Sequence, residues 1–147
     1  MFNILFPLWM LAAPLLSFGG IADKELAQLD FFFAVRVRAW LLLVRVLLGL
    51  SVLVTSGRRS HAQQLAQHLA DRRNPAPNPA RPDVHMRGVA LDVNFMRGGL
   101  IVLRKADSPV EWAKVYALAD LCGISNGSRF NGYPDNNHFF DTLRRSA

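Results

Sequence analysis

Two histidines and two aspartates in the second half of the chain are the side-chain types that a hydrolytic zinc site needs. His85 and Asp92 lie in the segment HMRGVALD, and Asp135 and His138 lie in DNNH near the end. A catalytic zinc ion usually takes three nitrogen or oxygen ligands from the protein and keeps a fourth position for water. A further group, which is not a ligand, accepts and returns the proton. We therefore predict that His85, Asp92 and His138 bind zinc and that Asp135 is the base.

The local patterns around these residues favour their convergence. Val89–Phe95 alternates large apolar residues with small or polar ones, which is typical of a half-buried strand whose open face carries Asp92. His138 lies in a second predicted strand, and Asp135 precedes it by three residues across a predicted turn. This spacing can direct both side chains into one cleft and leave the carboxylate a water's distance from the metal.

Two other histidines and an arginine are further candidates for the same site. His61 and His68 are seven residues apart on a predicted helix, which separates them by about 10 Å along its axis. That is too far for two ligands of one zinc ion, so we expect both to face solvent. Arg59 follows a strand end in the turn Ser56–Ser60, where a guanidinium could hold a carboxylate or an oxyanion. The spacing alone does not favour Arg59 over Arg58.

Composition limits the class of protein. The 147 residues are enough for one domain, and the net charge of +6 indicates an anionic partner. The basic residues are scattered and accompany no nucleic-acid motif, so we expect no nucleic acid; a cell wall rich in carboxylates and phosphates is equally anionic. A single cysteine, Cys122, excludes an intramolecular disulfide and a cysteine-rich zinc finger. Its position at a predicted helix end indicates a small buried apolar residue.

The first 22 residues contain no charged side chain. That length could span a bilayer, although Pro7 and Pro14 would kink the helix, and a secretory signal would carry lysine or arginine before its apolar stretch. A signal, a membrane anchor and a segment packed on the domain all remain open. We divide the chain into this apolar segment, residues 1–22, and one domain over residues 23–147. Any membrane contact is expected through residues 1–22.

The predicted elements alternate helices with short hairpin strands and show no βαβ order. The predicted helices are Ala22–Gly49, His61–Arg73 and a helix capped at Ser108 that ends at Gly123. The predicted strands are Leu50–Thr55, Val89–Phe95, Leu100–Leu103 and Asn137–Phe140. Residues 74–83 and 123–134 are predicted loops. We expect an α+β fold in which a small antiparallel sheet carries the zinc site and packs against helices.

Taken in order, four motifs resemble a known family. They are Ser-Gly-Arg-Arg-Ser over 56–60, Gln64, His-x-x-Gly-x-Ala-x-Asp over 85–92, and Asp-x-x-His-Phe over 135–139. The pattern is similar to that of the VanY-like zinc D-alanyl-D-alanine carboxypeptidases and L-alanyl-D-glutamate endopeptidases, a group that includes many phage endolysins. The resemblance covers residues 40–141. The chain departs from the family at Arg58, where the family has tyrosine, and at Asp83, where it has serine.

The resemblance implies a residue role at each matching position. It implies that His85, Asp92 and His138 bind Zn²⁺, that Asp135 is the catalytic base, and that Arg59 contacts the substrate or the developing oxyanion. Residues 23–147 would then form a zinc peptidase domain.

The implied function is a zinc-dependent peptidoglycan peptidase that cleaves the wall stem peptide with metal-activated water. The bond could be L-Ala-D-Glu or D-Ala-D-Ala; the short chain, without a separate wall-binding domain, favours an endolysin-type endopeptidase. We expect a monomer that works in the periplasm or at the extracellular wall, anchored to the membrane if residues 1–22 insert. A phage endolysin would be cytoplasmic before lysis. Two alternatives are a non-catalytic wall-binding module of the same fold and a membrane-associated basic protein whose histidine spacings are accidental.

Overall fold

Five short strands form one antiparallel sheet that packs against helices. The computed structural model describes residues 17–70, 83–132 and 134–144. The helices are α1 (Gly20–Leu26), α2 (Phe31–Leu48), α3 (His61–Ala70) and α4 (Pro109–Leu121), and a short 3₁₀ helix covers Thr142–Arg144. The strands are β1 (Ser51–Ser56), β2 (Ala90–Arg97), β3 (Leu100–Leu103), β4 (Ile124–Gly127) and β5 (Asp135–Asp141). The order β1-β2-β5-β4, with β3 also paired to β2, confirms the predicted α+β class.

The hydrophobic core lies between α2, α4 and one face of the sheet. Trp40 of α2 is fully buried, and its ring lies 4.4 Å from that of Phe139 on β5. Its indole nitrogen donates to the carbonyl of Val115 on α4 at 3.2 Å, which satisfies the one polar atom of the buried ring. The strand β2 contributes alternate buried residues, Leu91, Val93 and Phe95. The opposite face of β2 is thereby left for Asp92.

One predicted helix, Ala22–Gly49, is two helices in the structure. The chain turns after α1, and the Asp30 carboxylate accepts hydrogen bonds from the backbone N–H groups of Phe32 and Phe33. This cap starts α2 anew, because it satisfies N–H groups that a continuous helix would have paired internally. The predicted end at Gly49 is confirmed, with the left-handed φ of 64° that glycine adopts without strain.

The predicted loop 123–134 is wrong in part. Its first residues form β4, which pairs with β5, and Ile124 is fully buried. The Ser-Asn-Gly sequence that follows Ile124 has the composition of a turn, and the strand forms because β5 supplies partners for its backbone. The predicted turn between Asp135 and His138 is also wrong, since Asp135 is the first residue of β5.

The other predicted elements agree with the structure over the described residues. The strands β1, β2 and β3 lie within two residues of the predicted ranges, and Ser108 precedes α4 as predicted. The backbone N–H of Ser108 donates to the Glu111 carboxylate at 3.0 Å. None of the helices within these ranges is long and apolar enough to cross a bilayer. Residues 1–16 and 71–82 lie outside the described residues, so the division of the chain at residue 22 stays a prediction.

Candidate metal centre

The structure brings His85, Asp92 and His138 together on the open side of the sheet. Asp92 on β2 and His138 on β5 are direct partners in the antiparallel register, which directs both side chains to the same face. His85 reaches them from the turn that precedes β2. The Asp92 Oδ1 atom lies 2.8 Å from His138 Nδ1 and 3.4 Å from His85 Nε2, and the two ring nitrogens are 3.2 Å apart.

The hydrogen bonds around His85 fix which of its nitrogens carries a proton. Its Nδ1 lies 2.9 Å from the carbonyl oxygen of Gly57, and a carbonyl can only accept, so Nδ1 donates. In a neutral imidazole Nε2 then presents a lone pair, which is directed at Asp92 and His138. A proton on His138 Nδ1 can be donated either to Asp92 Oδ1 or to His85 Nε2. These two atoms are both acceptors, so no hydrogen bond joins them. A cation at the centre satisfies all three groups.

The donor set and its spacing fit zinc. Two imidazole nitrogens and one carboxylate oxygen are a usual ligand set for a catalytic zinc ion with one open position. Ligand bonds of about 2.0–2.1 Å in a tetrahedron separate neighbouring ligand atoms by about 3.3 Å. The three separations of 2.8–3.4 Å lie near that value. The bond from His85 to Gly57 also has the form of the outer contacts that orient metal-binding histidines.

Arg59 lies beside this centre, and its guanidinium pairs with Asp92. The Nη2 atom is 2.8 Å from Asp92 Oδ2, the oxygen that does not face the histidines. The Nε atom donates to Ser56 Oγ at 2.9 Å, and the side chain is largely buried. Arg59, and not the exposed Arg58, is therefore the arginine of the turn that contacts a candidate ligand. Its contact with substrate stays a prediction.

The protonation of Asp92 is set by opposing effects. Burial favours the neutral carboxyl, but the hydrogen bonds and charges of His138 and His85 outweigh it and hold the pKa of Asp92 well below its usual range. The carboxylate is thus ionised at neutral pH, which is the form that binds metal.

Asp135 stands apart from the three candidate ligands. It begins β5, three residues before His138, and its Oδ1 atom forms an ion pair with Lys105 Nζ at 3.1 Å. Burial raises the pKa of Tyr116 to about 12, although a hydrogen bond with Ser128 opposes the shift. The negative charge of Asp135 adds to this increase. The carboxylate does not join the group whose ligand atoms lie within 4.8 Å of one another. That position agrees with a base that is not a ligand, and the role itself stays a prediction.

Four residues near the centre received no role from the sequence. The Gly57 carbonyl, Gln64, Asp83 and Lys105 each bond to a predicted site residue or to one of its partners. A backbone carbonyl has no sequence signal, and nothing in the sequence distinguishes Lys105 from the other basic residues. Gln64 belongs to the resemblance, but its hydrogen bonds to Arg59 and Asp83 are seen only in the structure.

The remaining candidates lie outside the centre. His61 and His68 do not belong to the described group of ligand atoms, as expected. Cys122 packs against the core at the end of α4, and burial raises the pKa of its thiol to about 11, although the charge of Arg36 opposes the shift. A thiol that holds its proton at neutral pH is a poor nucleophile. Cys122 packs as an apolar residue, as predicted, but it is partly and not fully buried.

The chain shares its fold with a solved peptidase. The structure is similar to the crystal structure of the Serratia marcescens L-Ala D-Glu endopeptidase ChiX, with a TM-score of 0.58 and 24% sequence identity. The match covers 83% of this chain and 86% of that chain. No profile of a known protein family matches the sequence, and no curated protein does. The comparison therefore establishes the fold, an α+β arrangement that both proteins share.

Proposed function

We propose that this protein is a zinc-dependent peptidase that cleaves the stem peptide of peptidoglycan, as an L-Ala-D-Glu endopeptidase. The observation that carries the proposal is the convergence of three acceptor atoms from His85, Asp92 and His138 at separations of 2.8–3.4 Å. The shared fold with an L-Ala D-Glu endopeptidase supports the choice of substrate and bond. The net charge of +6 suits a polymer rich in carboxylates. The working location is then the cell wall.

The chemistry divides between the metal and the side chains. His85, Asp92 and His138 would hold the zinc ion, which would supply a Lewis acid for the activation of water and the polarisation of the peptide carbonyl. Asp135 accepts a proton from the attacking water and returns it to the leaving amine, so that one carboxylate acts as base and then as acid. Lys105 holds that carboxylate through the ion pair at 3.1 Å. Arg59 holds Asp92 in place, and its positive charge lies close to the oxyanion that forms.

Digestion of purified peptidoglycan followed by mass spectrometry tests the proposal. The zinc-loaded protein should release fragments with a new D-Glu amino terminus, and removal of the metal by a chelator should abolish their release. Loss of terminal D-Ala instead would identify a carboxypeptidase. A protein that sediments with the wall and releases nothing would contradict the proposal and favour the non-catalytic wall-binding module.

A further inference from the structure

Gln64 is a polar residue buried beside the metal centre. Its side chain is fully inaccessible to solvent, whereas Gln63 and Gln67 of the same helix are exposed. A buried amide is stable only when its donor and acceptor groups find partners. The partners of Gln64 therefore indicate why a glutamine lies on the inner side of α3.

Both ends of the Gln64 amide bond to charged groups near the candidate ligands. Its Oε1 atom accepts from Arg59 Nη1 at 3.3 Å, and its Nε2 atom donates to Asp83 Oδ2 at 3.1 Å. Guanidinium can only donate and an ionised carboxylate can only accept, so the amide has a single orientation that suits both neighbours. Asp83 also accepts from the backbone N–H of Met86 at 2.9 Å, which ties it to the turn that carries His85.

These bonds join two of the three candidate ligands. From Asp92 the connections run through Arg59 Nη2 to the guanidinium, through Nη1 to Gln64, and through Nε2 to Asp83. The Arg59 backbone N–H also donates to the carbonyl of His85 at 3.2 Å. The turn with His85 and the carboxylate of Asp92 are thus held by one set of hydrogen bonds.

We propose that Gln64 is a positioning residue for the metal, and that Asp83 is its partner. This proposal rests on the proposed function. Gln64 orients the guanidinium of Arg59, and Arg59 in turn places the carboxylate of Asp92 for metal binding. Asp83, which departs from the family pattern, fixes the other end of the amide. Outer contacts of this kind change metal affinity by about 10–100-fold when they are removed.

Reversing the polarity of the bond between Gln64 and Asp83 tests this role. Gln64→Glu brings two carboxylates face to face, and their repulsion displaces the side chain that holds Arg59 against Asp92. Zinc affinity of this variant should therefore fall by at least about tenfold. In the double variant Gln64→Glu with Asp83→Asn, the new amide donates to the new carboxylate, and affinity should return to within about threefold of the wild type. Zinc dissociation constants are measured by competition with a chromogenic chelator, starting from metal-free protein.

The matched control is Gln67→Glu, the same change at an exposed position of α3. It should leave zinc affinity unchanged, and thermal unfolding of the metal-free variants should show that all remain folded. Wild-type affinity in Gln64→Glu would overturn the proposal, as would a double variant that binds zinc as weakly as the single one. Because zinc binding is read without substrate, a protein that binds zinc normally but cuts no wall peptide would overturn the proposed function alone.

Discussion

At the scale of single residues, the positions of the protons decide which atoms of the centre can bind a metal. The Gly57 carbonyl places a proton on Nδ1 of His85 and leaves Nε2 as an acceptor directed at Asp92. Arg59 pairs with the far oxygen of Asp92, so the near oxygen faces the two histidines. Each neighbour thus leaves one acceptor atom for a shared cation, which is how outer contacts prepare a metal site.

Replacing Asp135 by asparagine separates catalysis from metal binding. The amide keeps the shape of the side chain but cannot accept the proton, so turnover of wall peptide should fall by about 10²–10⁴-fold. Zinc affinity should stay at the wild-type value, because the carboxylate is outside the group of candidate ligands. Asp120→Asn is the matched control, since that carboxylate is exposed and pairs with Arg129 on the surface. Undiminished turnover in Asp135→Asn would rule out this base.

The reactivity of Cys122 should depend steeply on pH. With a thiol pKa of about 11, against 9.0 for an unperturbed cysteine, alkylation of the folded protein at pH 8 should be about a hundredfold slower than alkylation of the unfolded chain. Between these two values the unfolded state loses its proton first, so folding stability should fall as pH rises from about 9 to about 11. Iodoacetamide kinetics measure both states. A native alkylation rate that levels off near pH 9 would contradict the raised pKa.

At the scale of elements, the pairing of β2 with β5 determines the site. Asp92 and His138 are 46 residues apart in sequence and become direct neighbours through the antiparallel register. The sequence predicted the face of β2 that carries Asp92, because Leu91, Val93 and Phe95 alternate with it. It could not predict the register, which depends on contacts between distant strands. The side-chain types and the strand pattern suggested the ligand set, and the order of the motifs with their resemblance to a family supported it.

The elements that the sequence missed have physical reasons in common. The break between α1 and α2 depends on Asp30, whose side chain forms local capping bonds and whose backbone N–H donates to the distant carbonyl of Gly88. The strand β4 depends on β5 for its hydrogen bonds. The network around Gln64 depends on burial, and three glutamines of one helix look alike in the sequence. Tertiary contacts decide β4 and the bonds of Gln64, whereas at the start of α2 they add to a capping signal that Asp30 already carries in the sequence.

The close packing of β4 on β5 should make Gly127 intolerant of a side chain. A Cβ at Gly127 would lie 2.5 Å from the backbone oxygen of Asp135 and 3.0 Å from its Cβ. Gly127→Ala should therefore lower the free energy of unfolding by about 1–3 kcal/mol and reduce turnover by displacing Asp135. Gly20→Ala is the control, because no atom lies within 4 Å of the added carbon. Denaturant titrations measure both variants, and equal stabilities would show that the strands can separate at no cost.

At the scale of the whole molecule, the hydrophobic core and the metal centre occupy opposite sides of the sheet. Four large aromatic side chains are fully buried on the core side: Trp40, Phe95, Trp112 and Phe139. The candidate ligands Asp92 and His138 lie on the other face of β2 and β5. We expect the chain to fold without metal, unlike small domains whose core is a zinc site. The ion then adds stability to a fold that already exists.

Zinc should raise the thermal stability of the folded protein. A ligand at 100 times its dissociation constant stabilises the folded state by about 2.7 kcal/mol, which corresponds to an increase in Tm of about 5–11 °C for a domain of this size. A chelator should return the protein to a lower but still cooperative transition. Calorimetry with and without zinc measures the difference. A chain that unfolds completely when the metal is removed would contradict the independence of the core.

Zinc content per chain tests the central claim most directly. Elemental analysis after gel filtration should find one zinc ion per wild-type chain and background levels in His85→Ala, Asp92→Ala and His138→Ala. His61→Ala and His68→Ala remove imidazoles outside the centre and should keep the full amount. A wild-type chain that retains no zinc, or three ligand variants that retain it like the wild type, would show that these side chains do not form the metal site.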